Sequence, residues 1–318
     1  MKCKILFICL SFIFLSFDLN AFDPGHDSQF IGYFKKENLK GKDSLTLENP
    51  KNSIILIYNQ GWGSDTSKSK YVRGKDKCYV DYYLKNKSKE IIGNKILRPY
   101  RLGKYCILPL SSKKNLLIHL GMSGKISILK KRPKMRKHDH ILISLEEEIY
   151  LVYNDQRRFG FIDLIDINIF ENKFIKKLGP DPLLKGFNGE YLYKAIKIKE
   201  RSIKSILLDQ SQVAGLGNIY VNEVLFETGI SPKKRGKNIT KEKCFALVKN
   251  IKKILKNAIK MGGTTIKDHV QPDGKLGYFK QNLKVYGKTN EKCSNCMDII
   301  KEIKQLGRTS YYCKSCQK

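Results

Sequence analysis

The sequence is short of negative charge. It holds 30 Asp and Glu against 61 Lys and Arg, a formal excess of +31, and its pI is near 9.7. That balance excludes a surface made for cationic partners and asks for a polyanion, nucleic acid before an anionic membrane. Lys, Ile and Asn are abundant together, so AT-rich coding drift accounts for part of the excess. Long apolar runs are also missing. The run Ile5–Phe17, with Lys2 and Lys4 before it and Ala21 after it, is too short to cross a bilayer comfortably. It fits a secretory signal peptide better than a membrane helix. Cysteines number nine, and an odd number excludes a complete disulfide framework within one chain. No internal repeat is present. What remains is 318 residues with an ordinary apolar fraction of 41%, enough for two domains and a small appendage.

The stretch NSIILIYNQGWGSD (residues 52–65) reads as a buried strand entering a glycine turn, and KSKYVRGKDK (68–77) as a solvated basic loop. From residue 101 onward KYCILPL, NLLIHLGMSGKISIL, HILISLEE and IYLVYND are short β-rich runs between turn residues, which predicts an antiparallel sheet or sandwich. LGPDPLLKGFNG (178–189), with two prolines and three glycines, reads as a linker. YLYKAIKI, SIKSILLDQ, IYVNEVLFETG and KCFALVKNIKKILKNAIK carry apolar positions at three- and four-residue spacing and predict helices. Residues 261–281 form a long polar loop, and long loops in compact domains are often functional.

The last 26 residues hold two C-x-x-C pairs, Cys293/Cys296 and Cys313/Cys316, with sixteen residues between them. Each pair aims two thiolates at a common centre, and two pairs close a tetrahedron of the kind zinc accepts in structural sites. The intervening stretch fits a β-hairpin with a knuckle at each end. Four thiolates leave no open position, so one structural Zn2+ is expected rather than a catalytic one. Arg308, in the turn KQLGRTS, becomes a rigid cation suited to phosphate contact.

In order along the chain, HLGMSG, DQRRFGF, LLDQSQVAGLGNIYVNEVLFETGISP (207–232), GGTTIKDHVQPDGKLGYF and the cysteine hairpin resemble the formamidopyrimidine-DNA glycosylases, over roughly residues 95–318. The resemblance implies an α+β fold. Residues 1–21 are the signal-like apolar segment, and a β-sandwich domain covers 22–177, with 22–94 divergent. A linker (178–188), a helix-two-turn-helix domain (189–285) and a four-cysteine zinc finger (286–318) follow. It also implies a monomer acting on duplex DNA with damaged bases, with no obligate protein partner. The reaction would be N-glycosidic cleavage at oxidised purines through a Schiff base, followed by β- and δ-elimination. By resemblance, Lys104 in RLGKYCIL assists catalysis and Arg308 assists the second elimination. His138, Arg157, Lys199, Lys204 and Asn218 contact DNA. The glycines before Asn218 also open a helix entry to an anion. Met122, Arg157 and Phe159 form the wedge that fills the gap left by an extruded base.

Two departures stand out. Gln156 replaces the proline of the family's DPRRFG, which changes turn stiffness and not chemistry. The family's amino-terminal proline nucleophile and the glutamate beside it have no match: no Pro-Glu pair exists in the chain, and the second methionine is Met122. Lys104 or a processed terminal amine is then left to supply an imine. The alternative is that residues 1–100 are foreign, from a gene fusion or a wrong start, and that the rest is a catalytically degenerate damaged-DNA-binding protein. Thiolate zinc sites and DNA repair place the chain in a reducing cytoplasm or nucleoid, against the signal-like head.

Overall fold

A computed structural model describes residues 90–145, 148–265 and 277–318, with the backbone of strands β1 (Leu45–Thr46) and β2 (Ile54–Leu56). The signal-like segment 1–21, the basic loop 68–77, Cys3, Cys9 and Cys78, and residues 266–276 of the long loop lie outside the described residues. The chain divides at Asn172/Lys173 into two compact units, the second comprising Lys173–Thr264 and Tyr278–Lys318 among the described residues.

The first unit is a β-sandwich. Strands β3 (Lys95–Ile96), β4 (Tyr100–Leu102), β5 (Tyr105–Pro109), β6 (Lys114–His119), β7 (Lys125–Leu129), β8 (Asp139–Leu145), β9 (Ile149–Asn154) and β10 (Phe161–Asp166) follow in order. They pair antiparallel into one sheet ordered β10-β6-β5-β4 and another ordered β2-β8-β9-β7, while β1 pairs with β3. Leu108, Leu116 and Ile118 of one sheet meet Ile141, Ile143, Leu151 and Tyr153 of the other in a single core. Two sheets burying one face each against the other is the stable solution for such alternating strands. The predicted runs are all strands, as is Ile54–Leu56. Strand β10, FIDLID, was not among them, because its two aspartates interrupt the apolar pattern; Asp163 is nevertheless buried.

The second unit is helical with a terminal hairpin. Its helices are α1 (Gly189–Ile196), α2 (Ile203–Leu208), α3 (Asn218–Thr228) and α4 (Lys241–Lys260). Side chains of Asn188, Ser202 and Thr240 cap α1, α2 and α4 by accepting backbone N–H groups, as the sequence favours at these starts. Helix α3 begins after Gly217, which offers no side-chain cap, and ends on Gly229 in the left-handed region (φ 69°). Helix α3 is central: Tyr220 to Phe226 are all buried, and α4, α2 and the last strand pack on it. The residues between 178 and 188 carry no helix or strand, yet they are docked: Gly179 N–H donates to Gln210 O (2.9 Å), and Pro180 O accepts from Ala214 N–H (3.1 Å). Strands β11 (Ile300–Gln305) and β12 (Arg308–Cys313) make the hairpin, whose base packs Ile300, Cys293 and Cys313 on Phe226. No helix among the described residues is long and apolar enough to cross a membrane.

Candidate functional site

In the first unit, three turns carry the expected residues. Gly103 (φ 57°) and Lys104 form the two-residue turn joining Leu102 to Tyr105, and a positive φ at the first position is what such a hairpin needs. Lys104 stands half-buried near His119 at the end of β6; burial first, and the Lys104 charge second, push the His119 pKa down to about 4. His119 is therefore neutral near pH 7, and its Nδ1 accepts from Gly121 N–H (3.1 Å), which leaves the proton on Nε2. Its ring stacks on Phe161 at 5.7 Å.

The turn Gly121–Gly124 presents Met122, 67% exposed, and the turn after β9 presents Phe159, 57% exposed. Side chains this apolar are held in water only by the backbone beneath them. Gly121 (φ 61°) lies so close to Phe159–Gly160 that a Cβ there would sit 2.6 Å from backbone, so the two turns touch. The Arg157 guanidinium lies over the Phe159 ring at 4.8 Å from its centroid. Met122, Arg157 and Phe159 thus share one outward-facing cluster.

Beneath them is a residue that sequence reasoning passed over. Asp155 is fully buried and accepts from Ser123 Oγ (2.6 Å), Tyr153 OH (3.1 Å) and Gly160 N–H (2.8 Å). Ser123 Oγ in turn accepts from Arg157 N–H (2.9 Å). One carboxylate therefore ties the Met122 turn to the Arg157–Phe159 turn. The signal was available: an aspartate closing an apolar strand directly before an exposed turn needs buried donors. His138 is half-buried and joins this hub through its backbone, its carbonyl accepting from Asp155 N–H (3.0 Å). Burial, then Lys137, His140 and Arg158, lower the His138 pKa.

In the second unit, Arg308 follows the Leu306–Gly307 turn (φ 48° and 70°) and is exposed at the head of β12. Thr309 O, next to it, accepts from both Asn218 Nδ2 (3.1 Å) and Lys204 Nζ (2.8 Å). Lys204 Nζ also donates to Ser310 Oγ (2.6 Å), and Asn222 Oδ1 accepts from Tyr311 N–H (2.8 Å). So α2 and α3 fix the strand that carries Arg308. Lys204 departs from the expected surface grip on phosphate: it is 1% exposed and its ammonium points into β12. Burial, followed by the Arg308 charge, lowers its pKa to about 8. The apolar surroundings Ile203, Ile206 and Leu207 draw this helix face inward, and the lysine goes with it. Asn218 opens α3, where the uncapped first turn leaves N–H groups for an anion. Lys199 is half-buried between α1 and α2, its carbonyl accepting from Lys237 N–H (3.0 Å); no hydrogen bond among the described residues links it to the Arg308 group.

The four cysteines converge. All four Sγ atoms lie within 4.8 Å of one another, with Cys296–Cys313 at 3.4 Å and Cys293–Cys316 at 3.8 Å. Each knuckle closes on a backbone bond, Met297 N–H to Cys293 O (2.9 Å) and Gln317 N–H to Cys313 O (3.1 Å). The set could hold one metal ion with no ligand position to spare. Glu223 on α3 anchors the hairpin's approach by accepting from the N–H groups of Lys284, Val285 and Tyr286 (2.8, 3.0 and 2.8 Å); burial still leaves its pKa raised.

An exposed apolar–cationic cluster on a β-sandwich, and a cysteine-braced cation beside an open helix start, define a class of protein that grips a polyanionic backbone. Two family models match: the formamidopyrimidine-DNA glycosylase N-terminal domain over residues 68–162 and the formamidopyrimidine-DNA glycosylase H2TH domain over residues 178–270. The first match opens 27 residues ahead of the limit at residue 95 drawn from the motifs. The chain is 42% identical to the formamidopyrimidine-DNA glycosylase of Hahella chejuensis over 71% of its own length and 83% of that protein's. It is 40% identical to that of Ruegeria pomeroyi, over 73% and 86%. Among solved structures it is similar to a mutant Lactococcus lactis FPG in complex with a Fapy-dG containing DNA (TM-score 0.75, 32% identity, 89% of this chain and 96% of that one). It is also similar to Lactococcus lactis Fpg with an abasic site containing DNA (TM-score 0.74, 32% identity, 89% and 96%). The chain belongs to the formamidopyrimidine-DNA glycosylase family.

Proposed function

We propose that this protein is a base-excision DNA glycosylase and AP lyase acting on oxidised purines in duplex DNA. The observation that carries the reading is the Met122–Arg157–Phe159 cluster held outward over the buried Asp155 carboxylate. Removing a base from the stack leaves a gap, and exposed apolar and planar side chains at adjacent turns substitute for the lost stacking. The relatives solved with Fapy-dG and abasic-site DNA support duplex DNA as the partner. Arg308 and the first turn of α3, with Asn218, hold backbone phosphates, while Lys204 works from below by fixing the Arg308 strand. His138 and Lys199 add contacts to the strands at the edges.

In the reaction an amine attacks C1′ of the nucleotide, the C1′–N bond breaks, and the base leaves with a proton. The sugar ring then opens, the C1′–O4′ bond breaking as O4′ takes a proton, and the resulting iminium acidifies C2′; loss of that proton expels the 3′ phosphate in β-elimination, and Arg308 assists the second elimination. With no Pro-Glu pair in the sequence, Lys104 or a processed terminal amine is offered for the attack, and Lys104 is the one tested first. The four thiolates hold one structural Zn2+: a Zn–S bond of about 2.3 Å sets tetrahedral sulfurs roughly 3.8 Å apart, within the observed spread. The ion, when bound, stiffens the finger and leaves the chemistry to the chain. The site fits a cytoplasmic repair enzyme whose thiols stay reduced.

The test is incision of 8-oxoguanine and abasic duplexes by the metal-loaded protein, with borohydride trapping. Strand scission and a trapped adduct are expected, with the adduct lost in Lys104→Ala. Tight, damage-selective binding with no scission would instead mark a damaged-DNA-binding protein. An adduct that survives Lys104→Ala would move the attack to another amine.

A further inference from the structure

Helix α4 carries seven lysines and one acid, Glu242, in twenty residues. Lys249, Lys253, Lys256 and Lys260 are exposed, and at successive spacings of four, three and four they fall within about 60° of helical arc. Cys244, Leu247, Val248, Ile251, Ile254, Leu255 and Ala258 are buried on the opposite arc. Other lysines of this unit are neutralised at home: Lys237 by Glu200 (2.6 Å), Lys241 by Glu190 (2.5 Å), Lys284 by Glu227 (2.6 Å). The four stripe lysines have no carboxylate partner among the described residues. Like charges at this spacing weaken a helix. Nearby Lys252 feels it, its pKa lowered by burial and then by Lys256. The helix therefore carries a repulsion that no carboxylate among the described residues offsets.

The stripe also stands on a different element from the phosphate grip. Helix α3 packs against α4 on one side and β12 on another, and it is buried along Tyr220–Phe226. Arg308 stands at the head of β12, while the lysines stand on the exposed arc of α4, opposite its buried residues. Because the apolar face of α4 is committed to α1 and α3, it cannot insert into a lipid interface, so charge is what the outer face has to offer.

We propose that this lysine stripe is a second polyanion site that holds a second segment of duplex DNA while the first is held at Arg308 and Asn218. The proposal rests on the base-excision reading in taking DNA as the polyanion and Arg308 with Asn218 as the first grip, but not on the excision chemistry. Eleven residues of helix axis span about 16 Å, and duplex DNA presents a charge about every 1.7 Å of its own axis, so each lysine meets a phosphate. Two duplex sites on one protein allow direct transfer between segments without full release.

The experiment uses the full metal-loaded chain and a quadruple variant, Lys249→Gln, Lys253→Gln, Lys256→Gln and Lys260→Gln, chosen because glutamine keeps the helix. Undamaged duplex is titrated over a salt series, and bridging is read as capture of a labelled duplex by protein on an immobilised one. The variant is expected to lower the slope of log affinity on log salt by roughly 3 to 4. Bridging should fall about tenfold or more, while single-turnover incision of a short lesion duplex at saturating protein is unchanged. An unchanged slope and unchanged bridging would make the stripe a solvated face and overturn the proposal. So would a parent protein that binds phosphatidylserine vesicles through these lysines without bridging duplexes. Loss of incision in both proteins, with the slope difference intact, would sink the base-excision reading and leave the stripe standing.

Discussion

The two units hold their functional side chains by opposite means. In the first, apolar Met122 and Phe159 are pushed into water, and a single buried carboxylate, Asp155, holds the turns that carry them. In the second, a cation, Arg308, is presented on a strand fixed by Lys204, Asn218 and Asn222 and closed by four thiolates. An exposed apolar–cationic cluster is supported by a buried carboxylate, and an exposed cation by a buried lysine and four sulfurs. The exposed side chains advertise little of what holds them in place.

The comparison breaks most visibly at the sulfurs. Cys293→Ser with Cys316→Ser is expected to unfold the hairpin, since structural thiolate–zinc sites contribute on the order of 10 kcal/mol. Proteolysis should then cut between residues 286 and 318 while the sandwich stays protected. Equal protection with no bound zinc would show that the cysteines are not the brace. Next comes Asp155→Ala, which strands three buried donors at about 1 to 3 kcal/mol each. The melting temperature of the first unit should fall, and excision of a damaged base should suffer more than nicking of a pre-formed abasic site. Equal losses on both substrates would reduce Asp155 to a fold residue.

The pH response separates the units further. His119 has a folded pKa of about 4 against 6.5 unfolded, so the unfolded chain binds more protons between these values. Stability from this group is full above pH 6.5 and is lost as pH falls toward 4, by about 3 kcal/mol. Lys204 has a folded pKa of about 8 against 10.5, so its burial costs most below pH 8 and stability rises from pH 8 to 10.5 by a similar amount, about 3 kcal/mol. Hydrogen exchange read unit by unit should show the acid loss in the sandwich, flattened by His119→Gln, and the alkaline gain in the helical unit, flattened by Lys204→Met. Identical profiles in parent and variants would undo both assignments. The smallest effect belongs to Gly229→Ala, about 1 kcal/mol, because its φ of 69° is the left-handed region that caps α3. Chemical denaturation measures it.

Much of this was legible in residue order. The alternating runs around residues 104–154 became strands, the capped periodic runs became helices, and the two C-x-x-C pairs met at hydrogen-bonding distance. Legibility failed where a polar residue is buried. FIDLID hid as a strand because Asp163 broke its pattern, and the family resemblance that assigned Lys204 to phosphate carried no sign that its side chain is buried against β12.

The sequence by itself determined the local shapes, the metal-ready spacing and the family, since these depend on neighbours a few positions apart and on motifs in fixed order. Only the tertiary structure decided that Asp155 joins two turns 32 residues apart and that Lys204 reaches a strand 105 residues away. Burial is set by what the rest of the chain brings alongside, and a charged side chain cannot reveal its partner until the fold supplies one.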